Sequence, residues 1–339
     1  MNRTIRVGVI GVGHLGQHHA RLLAAIDGAE LIGVVDINQS RADDIAAKYG
    51  ARRFTEARDL LPHVDAVTIA VPTVVHCELA LPFLQAGIAT LVEKPIASSV
   101  DEANRLIDAA ERSGSLLATG HTERFNPAVA AALPLVSAPR FIEIHRLGTF
   151  PERSLDIDVI FDLMIHDLDL LLTVVSSEVT SIEAVGVNVL TSKADIANAR
   201  LRFASGCIAN VTASRISRER VRKARFFQRD SYISIDCAAQ ELEMYRLVHP
   251  AAANGSRAAG EIGMPVSRPM IHGGKMDVAR EEPLRRELED FVDAVRQARP
   301  PGVTGRAGRD ALALATRVAE KMETQLAESQ TASTAPGVS

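Results

Sequence analysis

The chain has no tryptophan, three tyrosines, three cysteines and no excess of charge of either sign across its 339 residues. Each shortage narrows what it can be. Cys77, Cys207 and Cys237 lie far apart, with no Cys-x-x-Cys pair and no histidine at ligand spacing. Thiols so placed form neither a disulfide framework nor a zinc site, so no metal is expected. They read as buried side chains of a reducing, cytoplasmic compartment. Lysine and arginine number 38 against 42 aspartates and glutamates, a net charge of −4, which gives nucleic acid or an anionic membrane no electrostatic footprint. No apolar run approaches the roughly 20 residues that span a bilayer, and no charged-then-apolar leader precedes the first strand. No repeat at solenoid periods is visible either.

What is present is an ordinary globular composition, 47% hydrophobic and 24% charged. The length exceeds the ~250–300 residues at which a single core stops growing, so two domains are expected. Over the first ~120 residues, short apolar runs (5–10, 30–35, 66–70, 89–92, 115–119) alternate with helical patterns (15–26, 39–48, 56–61, 74–86, 100–113). That alternation predicts a doubly wound parallel sheet. Ser99 or Asp101 can cap the last of these helices and Gly114 can stop it. From about residue 140 the runs alternate apolar with polar, at 141–144, 199–203, 208–213, 224–227, 232–236 and 242–247, as half-buried antiparallel strands do. Ala204-Ser205-Gly206 and Arg229-Asp230-Ser231 read as hairpin connections. Residues 250–275 read as a long loop, followed by helices near 283–298 and 307–326. The predicted architecture is α/β: a dinucleotide-binding domain over 1–122, an α+β domain with an open, mostly antiparallel sheet over 123–328, and a disordered tail over 329–339.

The first turn carries the strongest local signal. Gly11-x-Gly13-x-x-Gly16 follows an apolar strand and opens a helix. The spacing provides a tight turn, a close approach of backbone to pyrophosphate and close helix–strand packing, with the helix N-terminus aimed at the phosphates. A second apolar strand ends at Asp36, twenty residues beyond Gly16, where a carboxylate meets ribose hydroxyls. That carboxylate repels a 2′-phosphate; Ile37 and Asn38 bring no cation, and Arg41 lies a turn into the next helix. NAD is therefore expected in preference to NADP. Candidate cofactor contacts are Gly11, Gly13, His14, Leu15 and Gly16 at the first turn and Asp36, Ile37 and Arg41 at the second. Ala70, Pro72 and His76 at a strand-end turn, with Glu93 and Lys94, complete the set. His18 and His19, on the first helix, read as surface residues.

Two further elements carry chemistry. Glu93-Lys94-Pro95 stands at the end of an apolar strand, where a lysine can donate to a substrate hydroxyl and stabilise the alkoxide as it forms. Asp162 and His166 lie four residues apart in the apolar run Ile160–Leu168, so one helical face would carry a base and a group to orient it or touch substrate. Arg124 and Asn126, where the domains join, are candidate substrate ligands, although Asn126-Pro127 also suits a helix cap. Arg215, Arg218, Arg220, Arg222, Lys223 and Arg225 form a basic cluster opposed only by Glu219. It reads either as a solvated strand edge or, with Arg215 among the ligands, as a site for an anion such as a sugar diphosphate.

Together these segments resemble the Gfo/Idh/MocA family of oxidoreductases, from the glycine turn through Ala70-Val71-Pro72, Glu93-Lys94-Pro95 and Arg124–Pro127 to Asp162-x-x-x-His166 and the segment 282–312. The resemblance implies that Lys94, Asp162 and His166 are catalytic, with His166 taking a proton while hydride passes from a sugar carbon to C4 of the nicotinamide. It also implies a homodimer or homotetramer built through the second sheet. Within the family, Asp156-Ile157-Asp158 before Asp162–Asp167 is similar to bacterial enzymes acting on nucleotide sugars, which implies C3 of a UDP-N-acetylhexosamine. The alternatives are an inositol or free-monosaccharide dehydrogenase, a reductase of the reverse direction, an NAD-dependent glycosidase, or a non-catalytic dinucleotide sensor. A sensor would be expected to lack one of Lys94, Asp162 and His166, and all three are present.

Overall fold

The computed structural model describes residues 3–150, 157–248 and 270–333, with side chains described to residue 324. The first half builds β1 (Ile5–Ile10), α1 (Gly16–Leu23), β2 (Ala29–Val35), α2 (Gln39–Tyr49), β3 (Arg52–Phe54), β4 (Ala66–Ile69), α3 (His76–Gln85), β5 (Ala89–Glu93), α4 (Val100–Ser113) and β6 (Leu117–Gly120). These strands form one parallel sheet in the order β3-β2-β1-β4-β5-β6. Separate apolar cores cover its two faces, which is why the strands read as continuous hydrophobic runs. The order reverses between β1 and β4, so the ligand crevice of such a fold opens at their C-terminal ends. Local signals set the helix ends: Ser99 accepts the Glu102 N–H, and Gly114 closes α4 in the left-handed conformation at φ 69°. Strand β3 escaped the sequence pattern because three residues carry no period.

Past a short helix α5 (Pro127–Ala132), the chain forms a second sheet. Its elements are β7 (Phe141–Leu147), α6 (Ile165–Val174), β8 (Val179–Val187), β9 (Ile196–Phe203), β10 (Ile208–Ser214), β11 (Val221–Phe227), β12 (Ser231–Asp236), β13 (Glu241–Val248) and β14 (Met270–Met276). The order is β14-β13-β12-β11-β7-β10-β9-β8, parallel only between β7 and β10. Two strands were not anticipated. Glu183 and Gly186 interrupt the apolar pattern of β8, and Gly273-Gly274 disguise β14, which pairs with β13 inside the stretch read as a loop. Residues 249–269 of that stretch, and Asp156, lie outside the described residues.

One face of this sheet is dry, packed by α5, α6 and α8 (Gly305–Ser333). The other carries a row of rings: Phe141 and Phe227 at 5.6 Å, Phe227 and Tyr232 at 5.0 Å, Tyr232 and Tyr245 at 6.2 Å. Helix α7 (Pro283–Gln297) returns to the first sheet, burying Leu284, Leu288, Phe291 and Val292 in the core that β1 and α1 share. Helix α8 runs to Ser333, so the tail expected from Ser329 is helical over its first residues, and 334–339 lie outside the described residues. Among the described residues no helix is long and apolar enough to cross a membrane.

Candidate active site

The first glycine turn divides its labour. Gly11 holds φ +82°, and a Cβ there would sit 2.5 Å from the Ala70 carbonyl oxygen; a Cβ on Gly16 would lie 1.8 Å from that of Gly11. Both positions are closed by the protein itself. Gly13 is different: a Cβ there would meet nothing within 4 Å. Internal packing does not demand glycine at that position, while a pyrophosphate lying against the backbone would. His14 and Leu15 are exposed beside it, and Ile37 is fully exposed beyond Asp36.

Asp36 is buried at the end of β2 and densely bonded. Its Oδ2 accepts the Val12 N–H at 2.8 Å, and its Oδ1 accepts the Asn38 N–H at 2.8 Å and Arg41 Nη2 at 2.7 Å. Burial works against its charge, yet Arg41 and the two backbone donors hold it below the usual carboxylate range. Arg41 thus folds back onto Asp36 instead of standing apart from it. Glycine turn and anchored carboxylate together fit a dinucleotide.

Two histidines lie elsewhere than expected. His76 is buried, with Nδ1 2.9 Å from the Pro95 carbonyl and Nε2 2.9 Å from that of Val71, so it ties two strand-end turns together. His19 is buried too, its Nε2 3.1 Å from Glu93 Oε1. It was read as a surface residue because its partner lies 74 positions away.

Lys94 joins the two sheets. Its Nζ donates to the Asp162 carbonyl at 2.6 Å and to Asp162 Oδ1 at 3.2 Å, while its N–H donates to Glu93 Oε2 at 3.2 Å. Asp162 sits in a π-helical turn, Ile160–Met164, that leads into α6. Wide turns of this kind recur at functional sites. Asp162 was expected either to orient His166 or to touch substrate; its carboxylate is linked to Lys94, and His166 Nδ1 is buried with no hydrogen-bond partner. Burial first, then the charges of Lys94 and Arg146 with His121 and Arg222, push His166 well below 6.5. The ring is neutral at physiological pH and free to take a proton. His121 stands edge-on to it at 5.8 Å, buried, neither ring nitrogen bonded.

Around this neutral pair every strong charge has a counterpart. Arg146 clasps Asp167 at 2.7–3.1 Å and Glu123 at 2.9 Å, and Arg222 reaches the same Glu123 oxygen at 3.3 Å. Burial lifts Asp167 even against Arg146, while Glu123 is held low, against its own burial, by the two arginines. Arg124 and Asn126 serve structure. Arg124 grips Asp169 at 2.5 and 2.6 Å; Asn126 caps α5 through Ala128 N and donates to the Cys237 carbonyl at 2.9 Å.

Arg215 is the clearest departure from a ligand role. It is 2% exposed, and its fork is spread over Asp195 Oδ1 at 2.9 Å, the Ile157 carbonyl at 2.7 Å and Thr191 Oγ1 at 2.9 Å. Arg222 was read only as one of the basic cluster, and Arg146, Glu123 and His121 were not among the candidate site residues. For the arginines a signal existed. Along β11 Arg222 shares the inward face of Ala224 and Phe226, and along β7 Arg146 shares that of Ile142 and Ile144.

Residues 5–121 match the family model described as an oxidoreductase family with an NAD-binding Rossmann fold, and 143–233 match the GFO/IDH/MocA C-terminal domain. A UDP-N-acetylglucosamine 3-dehydrogenase of Acidithiobacillus ferrooxidans is 41% identical over 94% of this chain and 97% of its own. A solved structure of the enzyme of that name from that organism superposes with a TM-score of 0.85 at 40% identity, covering 94% of this chain and 98% of the other. An inositol 2-dehydrogenase of Rhizobium meliloti is 28% identical over 96% of this chain and all of its own. Levoglucosan dehydrogenase in complex with NADH, at 17% identity, shares the fold with a TM-score of 0.81 over 94% of this chain and 97% of its own.

The buried Arg215–Asp195 pair yields a stability prediction. Although burial opposes its charge, Asp195 is held far below the ordinary carboxylate range by the N–H groups of Leu190, Thr191 and Val189 and by Arg215. Asp195→Ala removes a buried carboxylate that Arg215 holds and should cost about 3–5 kcal/mol in urea unfolding at pH 7. Because the folded value is depressed, that difference is fully present above the unfolded value near ~3.9 and should narrow as pH falls through and below it.

Proposed function

The chain belongs to the Gfo/Idh/MocA family of oxidoreductases, and we propose that it uses NAD to oxidise a secondary hydroxyl of a nucleotide sugar, at C3 of a UDP-N-acetylhexosamine. The observation that carries the reading is the meeting of the Lys94 ammonium, at the end of β5, with Asp162 and the neutral His166 of the second half.

Two of the three Lys94 Nζ protons are given to Asp162, and the third points a donor at a substrate oxygen. The substrate C–H leaves as hydride with its electron pair, and the hydroxyl proton passes to His166, so that C–O becomes C=O. Bound NAD supplies the hydride acceptor. Lys94 stabilises the oxygen as it gains charge, and Asp162 keeps the ammonium aimed. His166 can do its part because burial, joined by the cations around it, keeps it unprotonated.

Support for NAD over NADP is the Asp36–Arg41 pair, which keeps a carboxylate at the ribose position and engages the nearby cation. Support for a nucleotide sugar is threefold: the 41% identity to an enzyme of that name, the exposed Arg218 and Arg220, and Arg222 bridging from them to Glu123. Guanidinium forks suit a diphosphate. The enzyme is cytoplasmic, its cysteines unpaired and buried. It forms a homodimer or homotetramer through the ring-bearing face of the second sheet, with Phe227 partly exposed there.

The direct test is NADH formation with a panel of UDP-N-acetylglucosamine, its uronate, UDP-glucose, myo-inositol and glucose. Activity confined to nucleotide sugars is expected, with Arg220→Glu raising KM for them by about tenfold or more, the worth of one lost charged contact. Activity on inositol or free sugars would keep the chemistry and discard the nucleotide. Lys94→Ala and His166→Ala should retain NAD binding and lose about 100-fold or more in turnover. The acid limb of kcat/KM should lie below pH 6.5 in the parent, since His166 is depressed, and disappear in His166→Ala. Normal turnover in either variant would overturn its role. Asp36→Ala should weaken NAD and narrow the preference over NADP as Arg41 is released; an unchanged ratio would place the selectivity elsewhere.

A further inference from the structure

Beneath Lys94 lies a buried acidic pair that the chemistry above does not use. Glu93 and Glu287 are 5% and 1% exposed. Glu93 lies flat against Gly120, where a Cβ would come within 2.8 Å of its carboxylate. One Glu93 oxygen faces His19 Nε2 and the other receives the Lys94 N–H. Glu287, on α7, is bonded by Oε2 to the Thr122 hydroxyl at 3.0 Å, and its Oε1 has no partner.

The charges around Glu287 come from every neighbouring element, and none is a free cation. Glu93 faces it from β5, Asp169 from α6 and Asp290 from its own helix. The cations at hand are engaged: Arg124 by Asp169, Arg299 by Asp290, Lys94 by Asp162. His19 is committed to Glu93, and His121 is buried and unbonded behind Thr122. A buried carboxylate with no cation and a second carboxylate beside it does not stay ionised.

We infer that Glu287 is a neutral carboxylic acid in the working enzyme, and that its neutrality leaves the Glu93–Lys94 turn undisturbed, making Glu287 a positioning residue for Lys94. Ionising Glu287 would repel Glu93 from its place and shift the backbone donor of Lys94. Burial and the Glu93 charge lift Glu287 well above its ordinary value. The positioning role rests on the proposed part of Lys94; the protonation of Glu287 does not.

The test is Glu287→Gln, an isostere of the neutral acid. The folded parent holds a proton that its unfolded chain releases above ~4.3, so each further pH unit should weaken the parent relative to the variant by up to about tenfold in the folding equilibrium. Urea unfolding of the ligand-free proteins at several values from pH 5 to 8 reads this directly. A difference that stays flat with pH, or grows the other way, would overturn the inference. Should the variant not fold, infrared spectra of the parent decide: a protonated-carboxyl band persisting at pH 7 and vanishing on unfolding is expected, and its absence overturns the neutral Glu287. For the positioning role, the parent's kcat should fall on the alkaline side and the variant's should not. An identical alkaline limb in both would remove that role while leaving the protonation state standing. Inactivity on every sugar would count against the proposed function alone, since unfolding and infrared spectra need no substrate.

Discussion

The two sheets of this protein meet chemically at one ammonium group. Lys94 leaves the end of a parallel strand and gives a 2.6 Å hydrogen bond to a backbone carbonyl of the second half and a 3.2 Å one to the carboxylate of the same residue. Lys94 is only 17% exposed, and these two acceptors replace hydration that it has given up. The π-helical turn at 160–164 supplies both acceptors from one residue. In this turn Asp162 meets the lysine, while the imidazole of His166 has its Nδ1 buried and unbonded.

That division explains the electrostatics around it. Charged groups near the site are matched in closed sets: Arg146 and Arg222 with Asp167 and Glu123, Arg124 with Asp169, Arg41 with Asp36. Uncharged titratable groups occupy the spaces between them, His166 and His121 on one side and Glu287 on the other. A neutral histidine needs burial or a surplus of nearby cations, and a neutral glutamate needs burial or a surplus of anions. The same cleft provides both within one fold: Lys94, Arg146 and Arg222 stand around His166, while Glu93, Asp169 and Asp290 stand around Glu287.

How much of this was legible in the sequence follows from the range of each interaction. The glycine turn, Asp36, the caps Ser99 and Asn126 and the strand-end Lys94 are specified by neighbours within a few positions, and the structure finds each where its local pattern placed it. His19, His76 and Arg215 were misplaced because their fates depend on partners 74, 19 and 20 residues away. An arginine in a basic cluster looks free until the one carboxylate that enfolds it is known. Arg146 and Arg222 fall between these cases: strand alternation puts them on the inward face with Ile144 and Ala224, a reading that weighs face above charge. The tandem glycines of β14 hid a strand for the opposite reason, since pairing to β13 supplies what propensity lacks.

The two halves of the site are therefore specified by different physics. The dinucleotide half rests on backbone geometry, in which Gly11 and Gly16 are closed by the protein and Gly13 is left open. Such a feature tolerates almost any surrounding side chains. The substrate half rests on which carboxylate each arginine holds, and those pairs share members: Glu123 serves Arg146 and Arg222, and Arg146 also serves Asp167. Changing one member redirects the others, so substitutions there combine non-additively. The carboxylate at the centre of these pairs is Glu123, which holds the buried Arg146 and the more exposed Arg222 through one oxygen, so that its loss would release two arginines at once.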